Sequence, residues 1–306
     1  MFSENKAHKS AIKKKKAAFF YALSIWPIVW FLVFYVYLNS SSIIYAFEIY
    51  DINSNKFVFA GFENFKRAIL SFSGEEILVN ALKNSIFVYF FGFVAGLAVG
   101  QLFAYYVYKK LPGSKFYRTI LYLPGIIPGI AFMLCFKYIS DRFIPSISEL
   151  WFNKPMEGLL SNSRTAFGTL AFYFFWQSYG GSTVIYSNAM NSNINVELVE
   201  SAQLDGANAW QEYFYITFPL IFPTMQIFII TDIMAIFSNQ LNAYSFYAEG
   251  ADPKVYTVGY YLYKENLHAT NYTITYLAAI NLLVALVATP ISYVIKYFTD
   301  KLIEKW

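Results

Sequence analysis

ELVESAQLDGANAWQEYFYITFPLIFP, residues 197–223, is the most polar stretch of this chain to lie between two hydrophobic spans. It carries Glu197, Glu200, Asp205 and Glu212, and from Ser187 to Pro219 there is no Lys or Arg at all. Asn195 is placed to cap a helix from Val196 to Asp205, because its side-chain oxygen can accept from the free N–H groups of the first turn. Glu197 then falls where the helix dipole favours negative charge. Gly206 follows, and glycine most cheaply takes the left-handed turn that ends a helix. A second helix is predicted from Asn208 to Phe218, before Pro219. Its Trp210, Tyr213, Phe214 and Phe218 recur at spacings of three and four and form one apolar face. Ser201, Ala202 and Ala207 keep the first helix and its turn slim. An acidic helix, a sharp turn and an aromatic helix entering a membrane read as a docking knob. The alternative is a solvated connector.

The surrounding composition supplies the membrane. Of 306 residues, 57% are hydrophobic, 21% aromatic and only 14% charged, against about 25% charged in soluble domains. Mean hydropathy is +0.41. The single cysteine, Cys135, excludes an internal disulfide framework. The dense basic run Lys13–Lys16 abuts an apolar segment, so it reads as a topology signal and not as a nucleic-acid patch.

A spanning helix needs about 20 apolar residues. Ala17 to Leu38 has 22 without a charge. Asn39-Ser40-Ser41-Ser42 fits a signal-peptide cleavage site poorly, so this is read as a retained first span. Further spans are expected at Ser85–Tyr108, Thr119–Tyr138, Thr165–Tyr186, Leu220–Phe237 and Thr273–Tyr297. The fold class is therefore all-α, a polytopic membrane protein with six transmembrane helices in a single domain, 17–306, behind a basic cytoplasmic N-terminus, 1–16. Residues 39–84 form the first extracytoplasmic loop, with a short amphipathic helix near Phe62–Phe72. The basic flank of the first span places both termini in the cytoplasm, together with Lys109, Lys110, Lys115, Arg118, Lys296, Lys301 and Lys305. It also places 187–219 there, despite that loop's lack of positive charge. In the second span Gly92, Gly96, Gly100 and Ala104 share one face, where small residues let helices approach closely, within the subunit or between subunits. Pro124-Gly125 and Pro128-Gly129 should kink or break the third span, either beside a transport path or for structural reasons only.

Here a resemblance becomes specific. The acidic loop is similar to the loop of ABC-importer permease subunits that reads Glu-Ala-Ala, two residues, Asp-Gly-Ala, then an aromatic, Ile, two residues and Pro. The matching residues are Glu200, Ala202, Asp205, Gly206, Ala207, Phe214, Ile216 and Pro219, followed by Pro223. Ser201 departs from the family's Ala, one small residue for another. Gly61-Phe62-Glu63-Asn64-Phe65 and Leu123-Pro124 extend the likeness, and Gly250-Ala251-Asp252-Pro253 is a looser form of the family's Gly-Gly-Pro. The nearest branch is that of the carbohydrate permeases, which includes those for maltose, glycerol-3-phosphate and multiple sugars. The resemblance implies a type I ABC importer permease fold. It implies that loop 197–219 docks on a separate cytoplasmic ATPase dimer, with Glu200, Ser201, Ala202, Asp205, Gly206, Ala207 and Pro219 as coupling residues. A second permease subunit in a heterodimer, an extracytoplasmic solute-binding protein and a small sugar substrate complete the implied system, in a bacterial plasma membrane.

Asp232 lies in the middle of the fifth span, where a charge costs about 2.5–3.5 kcal/mol and should face the bundle interior or water. Asn239 follows at i+7, with Gln240 and Asn242 nearby, and the resemblance to the maltose permease lends a sugar-lining role to Asp232 and Asn239. Tyr179, Trp176 and Gln177 on the fourth span and Asn281 on the sixth are further substrate-path candidates. An interhelical hydrogen bond is the alternative for each. No G-x-x-x-x-G-K-[ST] loop occurs, so ATP would be bound by a separate subunit and this chain needs no cofactor of its own. His8 and His268 are far apart and no Cys/His cluster exists, so no metal site is expected; with no nucleophile elbow, zinc-protease motif or paired carboxylates placed for acid–base work, no enzyme is expected either. An ion-gradient-driven carrier, or an ABC permease for glycerol-phosphate or a polyamine, remains the alternative function.

Overall fold

The computed structural model describes Lys16 and residues 19–305. The 1–16 segment, with its lysine run, therefore lies outside the described residues except for Lys16. Contacts divide the chain into two compact units, one built from residues up to 68 with 269–282, the other from 69–268 with 283–306.

In the first unit, helix α1 (Phe19–Ala46) runs through the serines that follow the expected first span. A hairpin follows, β1 (Glu48–Asp51) pairing antiparallel with β2 (Lys56–Phe59), with Glu48 opposite Phe59 and Asp51 opposite Lys56. The sequence reading did not foresee it. Helix α2 (Glu63–Gly74) is the expected amphipathic helix. Buried Asn64 donates to the carbonyls of Ala46 (3.2 Å) and Glu48 (2.7 Å), while Phe62 and Phe65 stack about Phe47. The Gly-Phe-Glu-Asn-Phe stretch is thus a clamp on the start of the hairpin.

The second unit is helical. Helix α3 (Glu76–Tyr108) begins nine residues before the expected span and packs mainly on α7 (Ala166–Asn193). The expected third span is two helices, α4 (Ser114–Ile126) and α5 (Gly129–Tyr138), with α6 (Ile144–Phe152) after them. The break falls at Ile127-Pro128, both extended, because Pro128 excludes its predecessor from helical geometry; the Pro124-Gly125 backbone stays helical. Helix α8 (Val196–Leu204) precedes Gly206, and α9 (Ala209–Ala235) follows it without interruption. The expected stop before Pro219 does not occur. A widened π turn, Tyr213–Thr217, sits immediately before it, so the missing proline N–H falls where the hydrogen-bond ladder has already shifted its pairing.

Helices α10 (Ala243–Tyr247), α11 (Val258–Leu267) and α12 (Ile274–Ile303) complete the chain. The 254–260 segment stitches α3 to the end of α9. Asn84 donates to the carbonyls of Lys254 and Tyr256, both at 2.8 Å, and Val258 N–H donates to Ser85. Thr257 donates to the Asn239 carbonyl at 2.7 Å. Gly259 is required there, since a Cβ would come within 2.5 Å of the Ser238 backbone. Asp252 caps the turn Pro253–Val255, and the Ser163 hydroxyl and the Lys254 N–H that it accepts hold its carboxyl below the usual range.

Among the described residues, four helices are long and apolar enough to cross a membrane: α1, α3, α9 and α12. The six-span expectation also needs α4–α5 and α7. The first pair is broken in the middle. Helix α7 has 28 residues, roughly 42 Å at 1.5 Å per residue, but Gln177, Ser178, Ser182 and Thr183 lower its hydropathy.

Candidate functional site

Two features lie in the second unit: the acidic stretch and a partly open cavity. The local chemistry of the stretch is as expected at its first helix. Asn195 caps α8 by accepting from Glu197 N–H at 3.1 Å. Gly206 has φ +85°, the left-handed conformation that side chains disfavour. Glu200, Ser201, Asp205 and Gly206 are exposed, and Ala202 and Ala207 half-buried, so a protruding surface is available for docking. The second helix is capped by a reciprocal box, Asn208 accepting from Gln211 N–H while the Gln211 side chain accepts from Asn208 N–H. Its aromatic face divides: Tyr213 is buried against Tyr105, whereas Trp210 and Phe214 remain exposed.

Glu212 is the exception among the four acids. Its side chain is 2% exposed, and Lys109 Nζ at the end of α3 lies 2.6 Å from both of its carboxylate oxygens. Gln203 of α8 donates to the same carboxylate at 3.1 Å, and Tyr105 donates to the Ala209 carbonyl. Below this pair a core of Ala104, Tyr186, Met190, Ile194, Val199, Ile221, Phe222 and Met225 ties α3, α7, α8 and α9 together. Gln226 of α9 donates to Thr299 (2.7 Å) and Asp300 (2.5 Å) of α12.

The cavity, about 470 Å³, lies between α3, α7 and α9. Asp232 and Asn239, both singled out from sequence, line it. Asp232 is its one acidic or basic residue among the described residues. Tyr89, Phe174, Phe175, Tyr186 and Phe228 supply an aromatic wall, and Ser85, Ser182, Thr231 and Thr257 supply hydroxyls. Such a wall with scattered polar groups can stack on a sugar ring and exchange hydrogen bonds with its hydroxyls. Gly92 and Gly96 also line it, and nothing lies within 4 Å of a Cβ at either position. The small-residue stripe expected to serve close helix packing therefore makes room for the cavity along this part of α3. Its C-terminal end, Gly100 and Ala104, packs on neighbours.

The remaining candidates lie elsewhere. Gln240 is half-buried and off the cavity wall, and Asn281, in the first unit, is exposed. Trp176 belongs to an aromatic cluster with Phe132, Phe136 and Phe172, and Gln177 accepts from Asn242 at 2.8 Å. The Tyr179 side chain lies outside the described residues. Tyr89 was missed, although it precedes Gly92 by three and Gly96 by seven, on one helix face. Nothing local pairs Glu212 with Lys109, which is 103 positions away.

The helical architecture, with a cavity between long apolar helices, is that of an ABC importer permease. It matches a chain from the crystal structure of a bacterial ABC transporter involved in the import of the acidic polysaccharide alginate, with TM-score 0.73 and 24% identity, covering 94% of this chain and 96% of that one. Residues 92–304 match the family described as binding-protein-dependent transport system inner membrane component, and the chain belongs to that family. Similar sequences include the probable starch degradation products transport system permease protein AmyD of Thermoanaerobacterium thermosulfurigenes. It is 34% identical over 138 residues, 44% of this chain and 46% of AmyD. The arabinooligosaccharides transport system permease protein AraP of Halalkalibacterium halodurans is 25% identical over 279 residues, 89% of this chain and 84% of AraP. The matched region spans about half the length of the first of the curated relatives.

Proposed function

We propose that this chain is a permease subunit of an ATP-driven, binding-protein-dependent importer of a sugar or oligosaccharide. The carrying observation is that α9 runs unbroken from Ala209, in the acidic motif, to Asp232 and its cavity-lining neighbours. Motion applied to the exposed loop 197–219 would reach the cavity along one helix. The AmyD and AraP likenesses, both to saccharide permeases, support the substrate class. In this reading the loop and both termini are cytoplasmic. Glu200 makes a charge-assisted hydrogen bond to an ATPase subunit. A second permease subunit, an ATPase dimer and an extracytoplasmic binding protein complete the assembly, which alternates access to the cavity. Asp232 supports a second reading within the same class, a solute carrying an amino group or another cation, such as a polyamine.

The test is purification through a tag on this chain, followed by ATP hydrolysis and uptake of radiolabelled maltotetraose and of putrescine in proteoliposomes. Co-purification of an ATPase with saccharide uptake supports the main reading, and putrescine uptake alone supports the second. Uptake driven by an ion gradient without ATP overturns both.

A further inference from the structure

Helix α9 is one wall of the cavity, and helix α3 is another, through Tyr89, Gly92 and Gly96. Of these two walls, α9 alone is continuous with the acidic motif. A loop that moved α9 alone would slide one wall past the other without reshaping the cavity as a unit. Beyond the shared core and the contacts of Tyr105 with Tyr213 and the Ala209 carbonyl, what joins α3 to the motif is the buried charged contact at its C-terminal end, Lys109 Nζ against both oxygens of Glu212, beside Gln203. A carboxylate withdrawn almost wholly from water holds its cation more strongly than an exposed one does, because little solvent competes. Such a contact resists separation, unlike the exposed pair Lys296–Asp300 on α12.

The geometry points to Glu212 and Lys109 as positioning residues, a latch that makes α3 follow α9 when an ATPase moves the coupling loop. This rests on the importer reading and goes beyond it, since the pair touches neither the ATPase-facing surface nor the cavity.

The experiment uses the whole complex purified through this chain, carrying Cys135→Ser and the reporter Gly96→Cys, whose Cβ meets nothing within 4 Å. The rate of labelling of that cysteine by a membrane-impermeant maleimide is compared without nucleotide and after trapping with ATP and vanadate. With the latch intact, trapping should change the rate by about fivefold or more, the scale of ordinary coupling between sites. In Glu212→Gln and in Lys109→Gln the change should vanish while ATP hydrolysis persists, and the exchanged pair K109E/E212K should restore it. A merely structural role would lower yield and hydrolysis together and leave the labelling change of the surviving complex intact. Unaltered labelling change in both single variants overturns the latch alone. If no ATPase accompanies the tagged chain, the importer reading falls and the latch with it.

Discussion

On one side of Gly206, α8 holds Glu197 and Glu200 out in solvent, with Asp205 at its end; on the other, α9 holds Glu212 at 2% exposure against Lys109. The residue type is nearly the same and the separation is at most 15 positions. The exposed acids spend nothing on desolvation and are free to meet a partner of opposite charge. Glu212 has lost its water, and among the described residues Lys109, Gln203 and Tyr105 replace it. The first helix is built to be met, the second to be held. Charge in a polar loop is therefore not one property, and its consequence depends on what the fold packs around it.

The contrast predicts an order of effects on the stability of the detergent-purified chain, measured by thermal unfolding. Glu212→Gln should cost most, about 3 kcal/mol, the lower end for breaking a buried pair because Lys109 keeps some access to water. A melting temperature equal to that of the parent would show that the carboxylate is not held as described. Gly206→Val comes next, at about 1–2 kcal/mol, since the left-handed conformation is strained for any residue with a Cβ and more so for a branched one. In the assembled complex the same variant should separate ATP hydrolysis from uptake, and undiminished uptake would remove Gly206 from the coupling residues. Asn195→Ala should lose a single cap, about 1 kcal/mol, visible as a small drop in melting temperature with uptake retained. Glu200→Gln should leave the melting temperature unchanged yet weaken co-purification of the ATPase. If instead it destabilises the chain, the division between the two sides of Gly206 is wrong.

Much of the local structure was legible. The Asn195 cap, the Gly206 turn and the helix near Phe62–Phe72 follow from rules that operate over three or four residues, and all are present. So does Asp232 on the cavity, because a polar residue inside an apolar span has few places to face, and Asn239, two turns on and just past the span, joins it there. Pro219 misled, since a proline removes one ladder hydrogen bond without always ending a helix, as Pro223 and Pro290 also show, and at Pro219 a π turn has already shifted the pairing. Gly92 and Gly96 misled for a different reason. Small residues on one face allow either a close neighbour or an open space, and spacing alone does not choose between them.

The sequence by itself determined that this is a helical membrane protein with an acidic, glycine-hinged motif, because hydropathy, capping and turn chemistry are properties of neighbours along the chain. Only the tertiary structure decided that Glu212 is buried on Lys109, that Gln240 lies off the cavity wall, and that a glycine face makes room for that cavity. Each of those depends on which helices pack together, and residues more than a hundred positions apart carry no local record of having met.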